Sequence, residues 1–128
     1  MACGFILGMV FHPSADDMRF LLGLMPHNSL QKVVWVVISV SSGFCEEFVY
    51  RGYLQQQFQR LTGSLSAAIV LQAAAFGMAH AALPFAIVAP VMCLALLQGG
   101  LAAWRKTLVP GMLLHVGFDI VAGFFSHS

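Results

Sequence analysis

The chain has 128 residues, of which 59% are hydrophobic and only 9% charged, with a formal net charge of +1. A soluble domain carries nearer ~25% charged residues, so too few are present here to cover a water-facing surface, and lipid is the simpler solvent. The near-neutral balance also leaves no electrostatic footprint for nucleic acid.

The N-terminal run MACGFILGMVF is apolar but short of the ~20 residues that a membrane span needs. It has no Lys or Arg ahead of it and no clear cleavage site, so it reads as part of a helix and not as a signal peptide. The stretch from His12 to Ser29 is more polar. Ser14 followed by Asp17 resembles a capping box with Asp in place of Glu. Asp16 and Asp17 fall in a first turn, where the helix dipole favours them. Pro26 ends the apolar run Met18–Met25, and the segment reads as a short helix lying at the membrane interface. Residues 1–29 are therefore a hydrophobic stub with an interfacial helix, and residues 30–128 form the core.

In that core the pattern predicts an all-α polytopic bundle with four full spans. The first begins near Leu30, runs through VVWVVISVSSGFC, and continues past Glu46, Glu47 and Arg51 into LQQQFQR. Thr62-Gly63-Ser64 is a turn signal, with Thr62 or Ser64 as the next N-cap. The second span is Leu65 to about Ala82. It is rich in alanine, which lets helix backbones approach closely. Pro84 breaks it. The third is Phe85 to Trp104, followed by Arg105-Lys106, and the fourth is Leu108 to about Phe125. An up-down path puts Arg60 and Arg105-Lys106 on one side and the uncharged Leu83-Pro84 turn on the other, so the Arg60 side is expected to be cytoplasmic. Cys3, Cys45 and Cys93 are far apart, without C-x-x-C spacing, and read as buried small hydrophobes.

Ionisable groups within membrane helices cost about 2.5–3.5 kcal/mol each and mark functional sites. Glu46, Glu47, Arg51, His80, His115 and Asp119 all fall in or near the apolar spans. Glu47 and Arg51 are i,i+4 with the acid on the N-terminal side, the better order for an ion pair. Glu46 is rotated roughly 100° from Glu47 and is left free to work on a proton. Phe76 and His80 share a helix face at i,i+4, as do His115 and Asp119. At ~1.5 Å per residue, Glu46 lies roughly 21 Å along its helix from Arg60, and Asp119 and His80 lie about as far from their own loops, so these positions can meet at one depth. A carboxylate beside a neutral imidazole can activate water for attack on an amide. A further donor such as His115 can stabilise the oxyanion. The set fits acyl-bond hydrolysis without a Ser or Cys nucleophile.

The residues at these positions resemble a known family. EEFVYR at Glu46–Arg51 looks like the EExxxR motif of the CPBP (CaaX protease and bacteriocin-processing, or Abi) intramembrane proteases, which include the type II CaaX prenyl endopeptidases. FGMAH at Phe76–His80 looks like the family's FxxxH motif, and HVGFD at His115–Asp119 like its HxxxN or HxxxD motif. Together they span Leu30 to Phe125. The resemblance implies that Glu46, with His80, activates water. It makes Glu47 and Arg51 a supporting pair and puts His115 and Asp119 at the oxyanion-stabilising positions. It also implies an integral multi-pass protein of a bacterial inner membrane, whose partners are the lipid bilayer and a membrane-associated peptide or protein substrate. CaaX-like ends and bacteriocin or leader peptides are the candidate substrates. Position 119 is Asp where the eukaryotic CaaX proteases have Asn, and an ionised Asp cannot donate to an oxyanion. Relatives commonly carry further upstream helices.

No cofactor is expected. The nearest alternative is a zinc protease with Glu46, His80 and His115 as ligands, although the HExxH element is absent. A second is a membrane immunity or scaffold protein, in which Glu47–Arg51 and His115–Asp119 serve only to clamp helices together. A transporter fits less well, because paired inverted repeats are not seen.

Overall fold

A computed structural model describes residues 12–125. The chain forms α1 (Ala15–Leu24), α2 (Ser29–Glu47), a π-helical segment (Phe48–Leu54), α3 (Gln55–Thr62), α4 (Leu65–Ala79), α5 (Phe85–Arg105) and α6 (Val109–Phe125). The described residues contain no strand, as the all-α expectation requires. The hydrophobic stub expected at Met1–Phe11 lies outside the described residues.

Local chemistry sets most boundaries. Asp17 N donates to Ser14 Oγ at 3.1 Å and Ser14 N donates to Asp17 Oδ2 at 2.9 Å, so the predicted capping box is formed. Asn28 caps α2 by accepting from Gln31 N at 2.9 Å. Gly63 takes the left-handed conformation at φ 67° that closes α3, the cap for which glycine suffers no Cβ clash. Ser64 then accepts from Ala67 N at 3.3 Å and opens α4.

α2, the π-helical segment and α3 form one continuous 34-residue helix, Ser29–Thr62. The expected helix is there, but plain α-geometry is not kept throughout. The reason lies in its buried face. Ser39, Gly43, Glu47, Arg51 and Gln55 are all buried, each four residues after the last. At roughly 100° per residue, four α-helical residues overshoot a full turn by about 40°. A π-helix bonds i to i+5 and takes more residues per turn. Placed at Phe48–Leu54, it rotates the stripe back and keeps Glu47, Arg51 and Gln55 facing inward.

The four-span expectation is met in part. Ser29–Thr62 and Phe85–Arg105 are long and apolar enough to cross a membrane. α4 has 15 residues and α6 has 17, and both are apolar. At ~1.5 Å per residue they extend about 22–26 Å, against a hydrocarbon core of about 30 Å. α4 stops at Ala79, short of the predicted Ala82, because His80 becomes its C-cap at φ −99° and a turn follows.

α2 packs along α6, α3 along α4, and α4 along α5, while the π-helical segment touches α4 and α5. The middle of the long helix is thus where the core elements converge. What they bury is unusual. Glu47 is 0% exposed, and Arg51, Gln55, Gln72, Gln98 and Ser39 are buried among alanines and Phe76. Leu30, Leu61, Met78, Phe85 and Leu97 lie on the outside. Soluble proteins distribute these residue types the other way round, whereas a lipid solvent demands this arrangement. The same inversion corrects the cysteine expectation. Cys45 and Cys93 are exposed on the apolar surface, because polar and small side chains occupy the inward faces.

Leu97, 70% exposed near the middle of α5, tests that solvent assignment. An exposed substitution in water changes stability by no more than about 0.5 kcal/mol. In hydrocarbon Leu97→Asp costs about 2.5–3.5 kcal/mol. The carbonate-resistant, membrane-integrated fraction should therefore fall for Leu97→Asp and hold for Leu97→Ala.

Candidate active site

The long helix changes geometry directly after Glu46 and Glu47, and the two acids leave it in different directions, as their spacing predicts. They nevertheless converge on one imidazole. His115 Nδ1–H donates to Glu47 Oε1 at 3.3 Å, and its Nε2 lies 3.5 Å from Glu46 Oε2. Asp119, one turn further along α6, brings Oδ2 to 3.9 Å from the same Nε2. Arg51 Nη1 lies 2.9 Å from Glu47 Oε1, with both side chains fully enclosed. Glu46 forms no such pair with Arg51, which agrees with the rotation argument. The Glu46 and Asp119 side chains are 31% and 35% exposed, so the cluster is open on their side.

His80 enters through Phe76. The His80 Nδ1–H donates to the Phe76 carbonyl at 2.9 Å, and the two rings meet at a 46° tilt with centroids 4.6 Å apart. Phe76 also meets the His115 ring edge-on at 6.0 Å and lies under the Arg51 guanidinium at 4.7 Å. Cation–π contact of this kind strengthens when water is excluded. Phe76 thereby joins α4, α6 and the long helix at one point. His80 lies within electrostatic range of Glu46 and Asp119. All the predicted site residues are gathered in one place.

Several residues that hold the site were not singled out from the sequence. Gln98 accepts from Arg51 Nη2 at 2.8 Å and so fixes the guanidinium from α5. Ser42 Oγ donates to Asp119 Oδ2 at 3.2 Å, and Trp35 Nε1–H donates to the Asp119 carbonyl at 2.7 Å. Gln72 and Gln55 donate to the α5 carbonyls of Ala95 and Gly99 at 2.9 and 3.1 Å. The signal for Gln72 and Gln98 was present: an amide inside an apolar span needs a partner as a charge does. The helical spacing of the ionisable groups alone does not point to them. Gly111 matters by what it lacks. A Cβ there would lie 2.6 Å from Glu47 Oε2, so only glycine leaves room for the buried carboxylate.

The charge balance is informative. Glu46, Glu47 and Asp119 face one permanent cation, Arg51. The imidazoles of His80 and His115 stand beside them, and side chains of these types grouped together can do general acid–base work.

A model of the type II CAAX prenyl endopeptidase Rce1-like family matches residues 28–121, a stretch that contains every residue of this cluster. The chain belongs to that family of membrane-embedded CAAX-type proteases. No curated protein and no solved structure matches it.

The buried pair makes a stability prediction. Arg51→Met leaves the Glu47 carboxylate without its cation and should cost about 3–5 kcal/mol. Removing both charges in Glu47→Leu/Arg51→Met should restore much of that loss. Thermal unfolding in detergent compares the variants, and a double variant less stable than Arg51→Met would contradict the assignment.

Proposed function

We propose that this chain is a metal-independent intramembrane endopeptidase in which Glu46 is the base that activates water. The observation that carries the reading is His115 held between Glu46 and Glu47, with Arg51 claiming Glu47 and leaving Glu46 its own proton chemistry. Glu46 takes a proton from water as the water oxygen bonds to the carbonyl carbon of the peptide. The carbonyl electron pair moves to oxygen, and Nε2–H of His115, protonated on both nitrogens while Nδ1–H stays on Glu47, faces that oxyanion. When the intermediate collapses, the leaving nitrogen takes the proton from Glu46. One water is consumed and one C–N bond is broken.

The other side chains fit around this step. With Nδ1–H committed to the Phe76 carbonyl, neutral His80 carries its lone pair on Nε2, a second acceptor for the attacking water. Asp119 accepts the Ser42 hydroxyl, so it is engaged as an acceptor. Its role is to orient His115 and balance its charge. Glu47 and Arg51 hold the imidazole in place.

The substrate class is a membrane-associated peptide or protein, with CaaX-like ends and leader peptides as the first to try. The setting is a multi-pass protein of a bacterial inner membrane, with the Arg60 end cytoplasmic. Gln59 and Lys106 line one recess, so the end of α3 that carries Arg60 lies at the same end of the bundle as Lys106.

General-base catalysis contributes about 10²–10⁴-fold. Glu46→Gln should therefore lose cleavage by that order while accumulating like the wild type, as read by comparing membrane peptides from cells expressing each. Equal cleavage by both would refute the assignment of Glu46. EDTA or phenanthroline should leave the wild-type activity intact. Complete loss that zinc restores would move the reading to a metalloprotease.

A further inference from the structure

A recess of about 500 Å³ opens between α3, the end of α5 and the α5–α6 loop. Gln55, Gln56 and Gln59 line it together with Lys106 and Thr107, and Arg51 forms its inner end. Glu46, His80, His115 and Asp119 do not line it. It is therefore separate from the face on which Glu46 and Asp119 are open.

Four enclosed polar atoms link the two regions. Gln55 Oε1, Arg51 Nε, Glu47 Oε2 and Glu46 Oε2 receive or make no hydrogen bond with the protein. They follow one another along the helix from the recess to the proposed base. Gln55 and Arg51 are 5% and 2% exposed, so neither can satisfy these atoms from open solvent. The row mixes acceptors with a donor. An anion serves only Arg51, and a cation serves only the oxygens. Water both donates and accepts, and internal waters characteristically bridge such groups.

We infer that this recess is a water inlet. Water enters at the α5–α6 loop, passes Gln55 and Arg51, and supplies the hydrolytic water of Glu46 from behind the ion pair. The inference rests on the protease reading, because hydrolysis consumes one water per bond in a lipid surrounding that excludes it. A peptide lying on the exposed Glu46 face would itself cover that entrance. The separate inlet keeps the site supplied while substrate is bound. The amides and Lys106 keep the walls wet.

The test begins with water access. In full-length protein with Cys3, Cys45 and Cys93 replaced by alanine, single cysteines are introduced as Gln59→Cys at the mouth, Ala103→Cys on the wall, Gln55→Cys at depth and Leu97→Cys on the apolar surface. Each is reconstituted in lipid nanodiscs and treated with a water-soluble methanethiosulfonate, which reacts with thiolate. Gln55→Cys and Ala103→Cys should react within about tenfold of the Gln59→Cys rate, and Leu97→Cys far more slowly. If Gln55→Cys does not fold, Leu108→Cys on the same wall replaces it. Deep positions as slow as Leu97→Cys would overturn the inlet. Its role is then tested by Ala103→Phe, which fills the recess without touching the ionic cluster. It should lower kcat about tenfold at unchanged KM. An unchanged kcat when Ala103→Phe abolishes labelling at Gln55→Cys would also overturn the proposal. Failure of the protease reading would show separately, as cleavage that does not depend on Glu46, while the labelling still decides whether water enters.

Discussion

The Glu47–Arg51 ion pair is the constraint around which the rest of the molecule is arranged. Both side chains are fully enclosed. A charge in that position needs a partner at short range and hydrogen bonds for its remaining groups. Gln98 comes from α5 to hold the guanidinium, and Phe76 lies beneath it. Gly111 gives up its side chain so that α6 can pass the carboxylate. Stability alone does not explain the pair, since two apolar side chains of similar volume would pack at least as well. What the pair provides is a carboxylate oxygen fixed in space, onto which His115 is anchored. The orientation of the imidazole, and with it the geometry at Glu46, follows from that one interaction.

The inverted burial pattern has the same origin. Because the inward stripe of the long helix is Ser39, Gly43, Glu47, Arg51 and Gln55, the facing helices present small or amide side chains. Ala68, Ala73 and Ala95 allow close approach, and Gln72 and Gln98 supply hydrogen bonds. The large aliphatic residues are displaced outward, where lipid receives them. Helix association then relies on close packing and interhelical hydrogen bonds, as expected where the solvent is as apolar as leucine. The chemistry and the fold are stabilised by the same side chains.

Much of this was legible in the sequence. Caps and turns at Ser14, Gly63 and Ser64 are short-range chemistry, and they appear where the residues predict. The i,i+4 relations of Glu47 with Arg51 and of Phe76 with His80 needed only helical periodicity. The resemblance of the motifs to a protease family was borne out by the match over residues 28–121. Other features depend on tertiary context. The π-helical segment arises because a four-residue stripe must stay buried over five positions, and no local propensity announces it. The convergence of Glu46 and Glu47 on His115 depends on how α6 lies across α2. The shortened α4 depends on His80 leaving helical geometry to cap it, which hydropathy does not register. Cys45 and Cys93 face outward because the burial preferences of soluble proteins do not hold in a chain whose interior is polar.

The brevity of α4 and α6 has a consequence for the bilayer itself. An apolar stretch shorter than the surrounding hydrocarbon can be accommodated when the membrane thins around it, at a fraction of a kcal/mol per Å of mismatch. Two such helices, each packed on a different part of the 34-residue helix, would impose different thicknesses on different flanks of one small protein. Thinning of that kind would draw headgroups and water towards the depth of the ionic cluster. The thickness and stiffness of the host membrane would then help to set how far the cluster lies from water.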